Sequence, residues 1–351
     1  MSSIKKVLTQ KNIGCGYLYF YIHFVTEIVC FYFLSYITKG YHFVWLIPFI
    51  YDGLAFVPQS LIGYFSDLYP KIRIDYLGIM LLFVSIFMLS FTDINIYVML
   101  IILCLGNCCL HISGAENTLK NSNGKLSHSA IFVAGGSFGV ITGKLLATTS
   151  LQPWILLLLI LTMIPFAMLA NTYFNEESNC EKFDYVNKKS LLIILLIVLV
   201  VIVRGYLGYG IPTQWNKTIL QTVILYVTMG LGKALGGILS DRFGIRKIAT
   251  ISTLLSIPFL CFGNNIMLVS LVGVMLFSMT MPITLAMLVS VLKNKPGLAF
   301  GLTTIGLFLG TVPIFFIKIT NSIFNISLIV FLSIICFIIL IKLLRKVDNN
   351  G

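Results

Sequence analysis

The sequence predicts an all-α membrane protein with twelve transmembrane helices in two pseudo-symmetric six-helix bundles. The 351-residue chain is 58% hydrophobic and only 10% charged, with a mean hydropathy of +0.99. Because soluble domains carry about 25% charged residues, most of this chain must have lipid as its solvent. Apolar runs and short polar loops alternate along the sequence, and Lys and Arg concentrate in every second loop.

Twelve apolar runs are long enough to cross a bilayer as helices, which takes about 20 residues each. The predicted spans are 14–37, 42–66, 76–92, 95–114, 129–149, 153–174, 190–211, 218–240, 247–263, 265–292, 297–317 and 321–342. The third and ninth spans are short, and a smaller tilt or a thinner bilayer would accommodate them.

The distribution of basic residues predicts the orientation of these spans. If the N-terminus is cytoplasmic, 18 of the 24 Lys and Arg residues fall on the inside, 3 on the outside and 3 within spans. Cytoplasmic loops are enriched in these residues, and one missed span would exchange the sides of every later loop. Both termini are therefore predicted to be cytoplasmic. The same bias accounts for the net charge of +12, so nucleic acid is not a predicted partner.

One strongly polar internal segment, NEESNCEKFDYVNKKS at 175–190, follows the sixth span. It divides the chain into a predicted N-terminal bundle (1–174), a cytoplasmic linker (175–189) and a C-terminal bundle (190–351). The basic N-terminal tail precedes an apolar run with no small-residue cleavage site. The first span is therefore expected to be retained rather than removed as a signal peptide.

The sequence predicts no cofactor and no metal. Most of its eight cysteines lie inside apolar runs, where free Cys packs as a small hydrophobe. Cys104, Cys108 and Cys109 offer soft-metal ligands, but packing is the favoured interpretation. No G-x-x-x-x-G-K-[ST] loop occurs. The segment GLGKALGG at 230–237 has a Gly-Lys pair at the wrong spacing and lies in a span.

An internal repeat links the second and eighth spans. Their ends read QSLIGYFSDLYPKIR (59–73) and KALGGILSDRFGIRK (233–247). Aligned on the aspartates, the two copies share Leu61 and Leu235, Gly63 and Gly237, Ser66 and Ser240, and Asp67 and Asp241. Such repeats are typical of secondary transporters, whose substrate site lies between the halves near the bilayer midplane.

The second copy resembles the loop motif of the major facilitator superfamily, G-x-x-x-D-R-x-G-x-R-K. The matching residues are Gly237, Asp241, Arg242, Gly244, Arg246 and Lys247. The first copy keeps Asp67 but has Leu68 and Pro70 where the motif has a basic residue and a glycine. Twelve spans, a polar central linker and cytoplasmic termini also fit, so the resemblance covers essentially the whole chain. It implies that the motif latches the two halves together on the cytoplasmic side in one state.

This motif also has a direct physical interpretation. Asp241 stands at a span end, where a carboxylate can face the positive N-terminus of a neighbouring helix. Gly244 permits a tight turn. The basic residues Arg242, Arg246 and Lys247 can anchor the loop at the anionic inner leaflet. The alternative to a gate is a simple topology anchor.

The fifth span carries a stripe of small residues. In AGGSFGVITGKLLA (134–147), Gly135, Gly139 and Gly143 recur every four residues and predict close approach of another helix. The stripe resembles the fifth-helix glycine motif of antiporters in the same superfamily. Val140 stands where that motif has proline, so symport and antiport both remain open.

Five charged residues fall within spans: Glu27, Asp52, Lys144, Arg204 and Lys233. A charge at a helix centre costs about 2.5–3.5 kcal/mol on insertion scales, so these side chains must pair with one another or face a water-filled cavity. Interhelical ion pairs that fix packing are the structural alternative. Three cations against two anions favour an anionic or zwitterionic solute, with Arg204 and Lys233 or Lys144 as its counter-charges.

The resemblance also implies where these charges meet. In the superfamily, helices one, four, seven and ten line the central cavity, and helices one and seven are related by the pseudo-twofold axis. Glu27 and Arg204 are then expected on facing walls. Lys144 is the other predicted partner for Glu27.

Glu27 is the predicted proton-coupling residue. A low-dielectric site favours the neutral carboxyl, which lets such a group take up and release protons. His23 lies one helical turn earlier, and histidine titrates near physiological pH. His23 is either a proton relay or a packed, hydrogen-bonded neighbour. His111 lies in NCCLHISGAENTLK (107–120), which resembles the His-containing end of helix four in drug-efflux members of the superfamily.

The sequence thus predicts a secondary active transporter that moves a small solute by alternating access, coupled to protons. We expect a multi-pass protein of the cell membrane, with nothing that demands more than a monomer. Two alternatives are a non-transporting sensor of the same fold and, less favoured, an intramembrane enzyme. The enzyme is disfavoured because HFVTE at 23–27 lacks the second His of H-E-x-x-H.

Overall fold

The computed structural model describes residues 14–39, 45–172, 180, 182–187, 190–210, 213–317 and 321–345. The N-terminal tail, part of the predicted linker and residues 346–351 lie outside these ranges. Within them the chain is almost entirely helical. The predicted all-α fold is therefore confirmed.

Twelve helices, α1 to α12, follow one another in the described part of the chain. They are Gly14–Thr38, Leu46–Leu68, Ile74–Phe91, Ile96–Lys120, Ser127–Thr148, Ile155–Asn171, Leu191–Gly210, Ile219–Phe243, Ile245–Phe262, Met267–Val291, Pro296–Phe316 and Ser322–Leu343. Eleven are long and apolar enough to cross a membrane, and α6 is apolar but shorter. Each coincides with one predicted span, with ends shifted by a few residues.

Helix α2 is interrupted at Val57, immediately before Pro58. Proline has no N–H and its ring displaces the preceding turn, so carbonyl groups of that turn lose their helical partners. Side chains from other helices take their place. The Cys108 thiol on α4 lies 3.1 Å from the Ala55 carbonyl, and the Thr304 hydroxyl on α11 donates to the Phe56 carbonyl at 3.0 Å. Cys108 thus serves the packing of α2, as its apolar surroundings predict.

Two helix pairs join the two halves of the molecule. Helix α5 packs along α8, and α2 packs along α11. We call these two contacts the seam. Within the halves, α1 packs along α5 and α7 packs along α11, so α5 and α11 each connect an inner helix to the opposite half.

The close approach of α1 to α5 depends on the predicted glycine stripe. A Cβ atom at Gly139 would lie 2.3 Å from the Phe24 carbonyl oxygen and 2.7 Å from Cβ of Glu27. Gly135 and Gly143 meet α1 carbonyl groups in the same way. The predicted helix contact is confirmed, and it sets the backbone on which Glu27 stands.

Gly139→Ala is expected to destabilise the protein, because the added methyl group meets backbone rather than a movable side chain. Overpacking of this kind costs about 1–3 kcal/mol. The midpoint of thermal unfolding in detergent should fall by several degrees. Gly208→Ala is the matched control, since its Cβ would find only the Phe277 ring at 3.8 Å. Equal midpoints for the two variants would contradict the close-packing argument.

The described residues of the central linker touch both halves. Tyr185 donates its hydroxyl to the Gly124 carbonyl at 2.6 Å and its amide to the Ser290 hydroxyl at 3.1 Å. Its own carbonyl accepts from the Arg345 amide at 2.9 Å. Burial, reinforced by Asp241, raises the pKa of the Tyr185 hydroxyl to about 12, so it remains a donor. This segment packs over the ends of the bundle that are predicted to be cytoplasmic.

Candidate functional site

A cluster of two imidazoles and one carboxylate lies buried among α1, α4 and α5. His111 Nε2 is 3.1 Å from Oε1 of Glu27, and His23 Nε2 is 3.7 Å from the same oxygen. All three side chains are buried. We call His23, Glu27 and His111 the triad. The i,i+4 spacing of His23 and Glu27 gives one contact, and the packing of α4 against α1 supplies the other.

Hydrogen bonds to backbone carbonyls set the tautomers of both histidines. His23 Nδ1 lies 2.9 Å from the Phe132 carbonyl, and His111 Nδ1 lies 3.0 Å from the Asn107 carbonyl. Carbonyl oxygens only accept, so each Nδ1 carries the hydrogen. In the neutral imidazoles both Nε2 atoms are then lone-pair acceptors that face the Glu27 carboxylate. A hydrogen bond between His111 and Glu27 requires one further proton, held on Nε2 or on the carboxyl group.

Asn107 completes the polar surroundings of the triad. Its side-chain amide donates to Oε1 of Glu27 at 3.3 Å and to the Tyr51 hydroxyl at 3.2 Å. Neither Asn107 nor Tyr51 was predicted as a site residue. The signal for Asn107 was available: it stands four residues before His111, on the same helix face, just as His23 precedes Glu27.

The other half of the molecule meets the triad at the seam. The Phe300 ring on α11 lies 6.4 Å from the His111 ring, centroid to centroid. Lys233 on α8 donates to the Ser137 hydroxyl on α5 at 2.8 Å. Ser137 directly follows Gly136, where a Cβ would lie 2.5 Å from Nε2 of His23. Lys233 interacts with Glu27 as an opposite charge and with Arg204 as a like charge.

The two aspartates of the repeat make equivalent contacts across the seam. Asp241 accepts from the backbone amides of Leu126 and Ser127 at 2.8 and 2.9 Å, at the start of α5. Asp67 accepts from the amides of Gly297 and Leu298 at 3.0 and 2.8 Å, at the start of α11. Both carboxylates thus cap the N-terminus of a helix from the opposite half, where free amides and the helix dipole favour an anion.

Glycines allow these two capping contacts, which we call the latches. A Cβ at Gly63 would lie 2.3 Å from the Gly297 carbonyl oxygen, and one at Gly237 would lie 2.3 Å from Cβ of Ala130. The latch of Asp67 therefore has the same geometry as that of Asp241, although its surrounding motif is degenerate. A further contact beside this latch was not predicted: Ser66 donates to Glu116 on α4 at 2.5 Å.

The remaining motif residues shape the turn between α8 and α9. Gly244 has a φ of +92°, a conformation that only glycine adopts without strain. Arg246 donates to the Leu344 carbonyl at 2.9 Å. The charged groups of Arg242 and Lys247 lie 5.3 and 5.9 Å from the Phe243 ring centroid.

The sequence matches no protein-family model and no curated protein. Three solved structures superimpose on nearly the whole chain. The human organic anion transporter MFSD10 (TETRAN) gives a TM-score of 0.69 at 14% identity, over 94% of this chain and 99% of its own. A variant of the E. coli fucose:proton symporter FucP gives 0.60 at 14%, over 94% and 96%. A bacterial homologue of the iron transporter ferroportin, in an outward-facing state, gives 0.57 at 13%, over 93% and 98%.

All three are major facilitator transporters. The chain has the major facilitator fold. The resemblance stated for the loop motif is thereby confirmed at the level of the fold, and it extends across the seam described above.

Within this fold, Lys144 is not the partner of Glu27. Its ammonium group donates to the Tyr226 hydroxyl on α8 at 3.0 Å and lies 5.4 Å from the Phe31 ring centroid. Its opposite charge in range is Asp52 on α2. The predicted pairing fails because Glu27 faces α4, where His111 and Asn107 are closer, while Lys144 stands further along α5 and faces α8.

Arg204 is also displaced from its predicted place opposite Glu27. Its guanidinium donates to the Thr284 hydroxyl on α10 at 3.0 Å and lies 5.6 Å from the Phe277 ring centroid. It therefore points into the C-terminal bundle rather than toward the triad. Helix α7 packs along α11, and this contact turns the face that carries Arg204 away from the seam.

The triad is also the group of side chains best placed to bind a metal among the residues that the structure describes. The ligand atoms of His23, Glu27 and His111 all lie within 4.8 Å of one another. Imidazole and carboxylate together are donors that divalent transition metals accept. The cluster is thus built to hold one cation, and a proton and a metal ion are the two chemistries that its atoms allow.

Proposed function

We propose that this chain is a secondary active transporter that moves a small solute by alternating access and is driven by protons taken up at Glu27. The observation that carries the proposal is the triad: three buried groups at the seam whose tautomers require one shared proton. The fold supports transport, because the triad lies between helices that must rearrange when the two halves rock against each other.

Proton occupancy changes the attraction across the seam. With the proton absent, Glu27 is an anion, and Lys233 from the opposite half is its nearest opposing charge among those named above. With the proton bound, this attraction disappears and Lys233 retains only its hydrogen bond to Ser137. The relative stability of the two conformations then depends on whether the triad is loaded, which is the condition for coupling.

The latches supply the second half of the proposed cycle. Each carboxylate holds two backbone amides of the opposite half, so the side that carries Asp67 and Asp241 is closed in this conformation. Opening that side requires both pairs of charge-assisted hydrogen bonds to break, with the amides and carboxylates passing to water. The linker contacts of Tyr185 lie on the same side and must separate as well.

Lys233 is the proposed counter-charge for the solute, which we propose to be a small anion or zwitterion. Thermal unfolding of the purified protein against a library of small carboxylates, phosphates and amino acids would identify binders, because ligands raise apparent stability by mass action. Each binder would then be tested for uptake into proteoliposomes with an imposed pH gradient. Binding without any flux would favour the sensor instead.

Lys233→Gln is expected to raise the half-saturating concentration of such an anionic solute about tenfold or more, because a charge-assisted hydrogen bond is lost. The measurement is concentration-dependent uptake or the thermal shift. Lys217→Gln, which changes a cation in the exposed loop before α8, should leave it unchanged. A neutral or cationic solute whose binding ignores Lys233 would remove this residue from the solute site.

A further inference from the structure

Arg204 is a buried cation that lacks a carboxylate partner. It is 8% exposed and sits in the second half of α7. From residue 190 to the end, the sequence contains only two acidic residues, Asp241 and Asp348. Asp241 is engaged at the start of α5, and Asp348 lies outside the described residues. No carboxylate within the described C-terminal bundle therefore compensates the guanidinium.

The hydrogen bonds of Arg204 are also incomplete. Its Nη1 donates to Thr284, whose own hydroxyl is directed at a carbonyl of the same helix. Its Nε is buried and has no partner among the described residues. Guanidinium carries five N–H donors, and a buried charge is tolerated when its donors meet acceptors and its charge is opposed. Both conditions are unmet by the protein alone.

A cavity lies beside this guanidinium, enclosed by α7, α9, α10 and α12. Arg204, Thr253, Ser256, Thr280 and Ser333 contribute polar atoms to its wall. Its free volume is on the order of one water molecule. Ser256 and Thr280 donate to carbonyls of their own helices, but the buried Thr253 hydroxyl has no partner among the described residues.

We propose that this cavity binds a small monovalent inorganic anion of the size of chloride, held by Arg204 and Thr253. A water molecule would accept hydrogen bonds from these donors but would leave the charge unopposed. A halide accepts hydrogen bonds and neutralises the guanidinium together. The site is distinct from the triad, which lies among α1, α4 and α5. The bound anion joins α7 to α9, so the stability of the C-terminal bundle depends on it.

The test is thermal unfolding of the purified full-length protein in detergent, with sodium gluconate replaced stepwise by sodium bromide at constant ionic strength. The unfolding midpoint is expected to rise and to saturate with bromide. Thr253→Val keeps the shape of the side chain but removes the hydroxyl, and it should raise the half-saturating bromide concentration about tenfold. Arg204→Gln should abolish the response. Thr303→Val, a buried threonine that bonds only to its own helix, is the matched control and should respond like the parent protein.

Bromide also allows the position to be checked by anomalous diffraction, with a peak expected between Arg204 and Thr253. Equal midpoints in gluconate and bromide, a site filled by water alone, or a response to organic solutes only would each overturn the proposal. If Arg204→Gln fails to fold, the parent titration and Thr253→Val still decide. The assay needs no transport, so a bromide response without flux would sink the proposed function and leave this site standing, and flux without a response would do the reverse.

Discussion

Glu27→Gln is expected to abolish uphill, pH-gradient-driven uptake in proteoliposomes while solute binding persists. Glutamine keeps the size of the side chain and still hydrogen-bonds His111, but it cannot carry the proton that the two Nδ1-protonated histidines require. Rates of gradient-driven uptake should fall by at least about two orders of magnitude, the scale on which a positioned proton-transfer group acts. The measurement is uptake, with and without an inward proton gradient, of a solute found in the thermal-shift screen.

Glu116→Gln is the matched control for this experiment. Glu116 is also a buried glutamate, but it pairs with Lys120 and Ser66 outside the triad. Uptake by this variant should still follow the pH gradient. All measurements should be repeated with a chelator and with added divalent transition metal. Gradient-driven uptake that survives in Glu27→Gln, or uptake that requires metal rather than protons, would refute proton coupling at Glu27.

Removing either latch is expected to free the helix N-terminus that it caps. In Asp241→Ala the amides of Leu126 and Ser127 lose their carboxylate, and in Asp67→Ala those of Gly297 and Leu298 lose theirs. Since one charge-assisted hydrogen bond contributes about 1.5 kcal/mol or more, hydrogen exchange of the affected amides should accelerate at least about tenfold. Mass spectrometry of the corresponding peptides measures this directly.

The two latch variants control for each other, because each should accelerate exchange at its own helix start first. Asp93→Asn, on the exposed connection between α3 and α4, should change neither peptide. The double variant should open the side that carries both latches, and uptake should fall because the conformational equilibrium loses one of its states. Unchanged exchange at 126–127 and 297–298 would show that the carboxylates do not hold the seam closed.

The sequence predicted the fold because the membrane allows few solutions. A chain with 58% hydrophobic residues must satisfy its backbone internally, so each apolar run of suitable length becomes a helix. The glycine spacing of the fifth span and the duplicated aspartates were visible for the same reason. Each belongs to a local pattern that a helix converts directly into one face or one end.

The partners of the charged residues were less accessible to sequence reasoning. The pseudo-twofold argument placed Arg204 opposite Glu27, and the count of charges suggested Lys144 as an alternative. Both inferences treat charges as if they could meet freely within a cavity. In the structure, the rotation of each helix is set by close backbone packing, such as Gly139 against α1, and that rotation decides which side chains meet.

By itself, then, the sequence determined the twelve helices, their grouping by an internal repeat, and His23 next to Glu27, because these depend on hydropathy and on spacing along one helix. Only the tertiary structure brought His111 and Asn107 to Glu27, set both latches at helix starts and left Arg204 facing a cavity without a carboxylate. Those contacts join residues as far apart as 230 positions along the chain. No local pattern encodes them, since they follow from how whole helices pack.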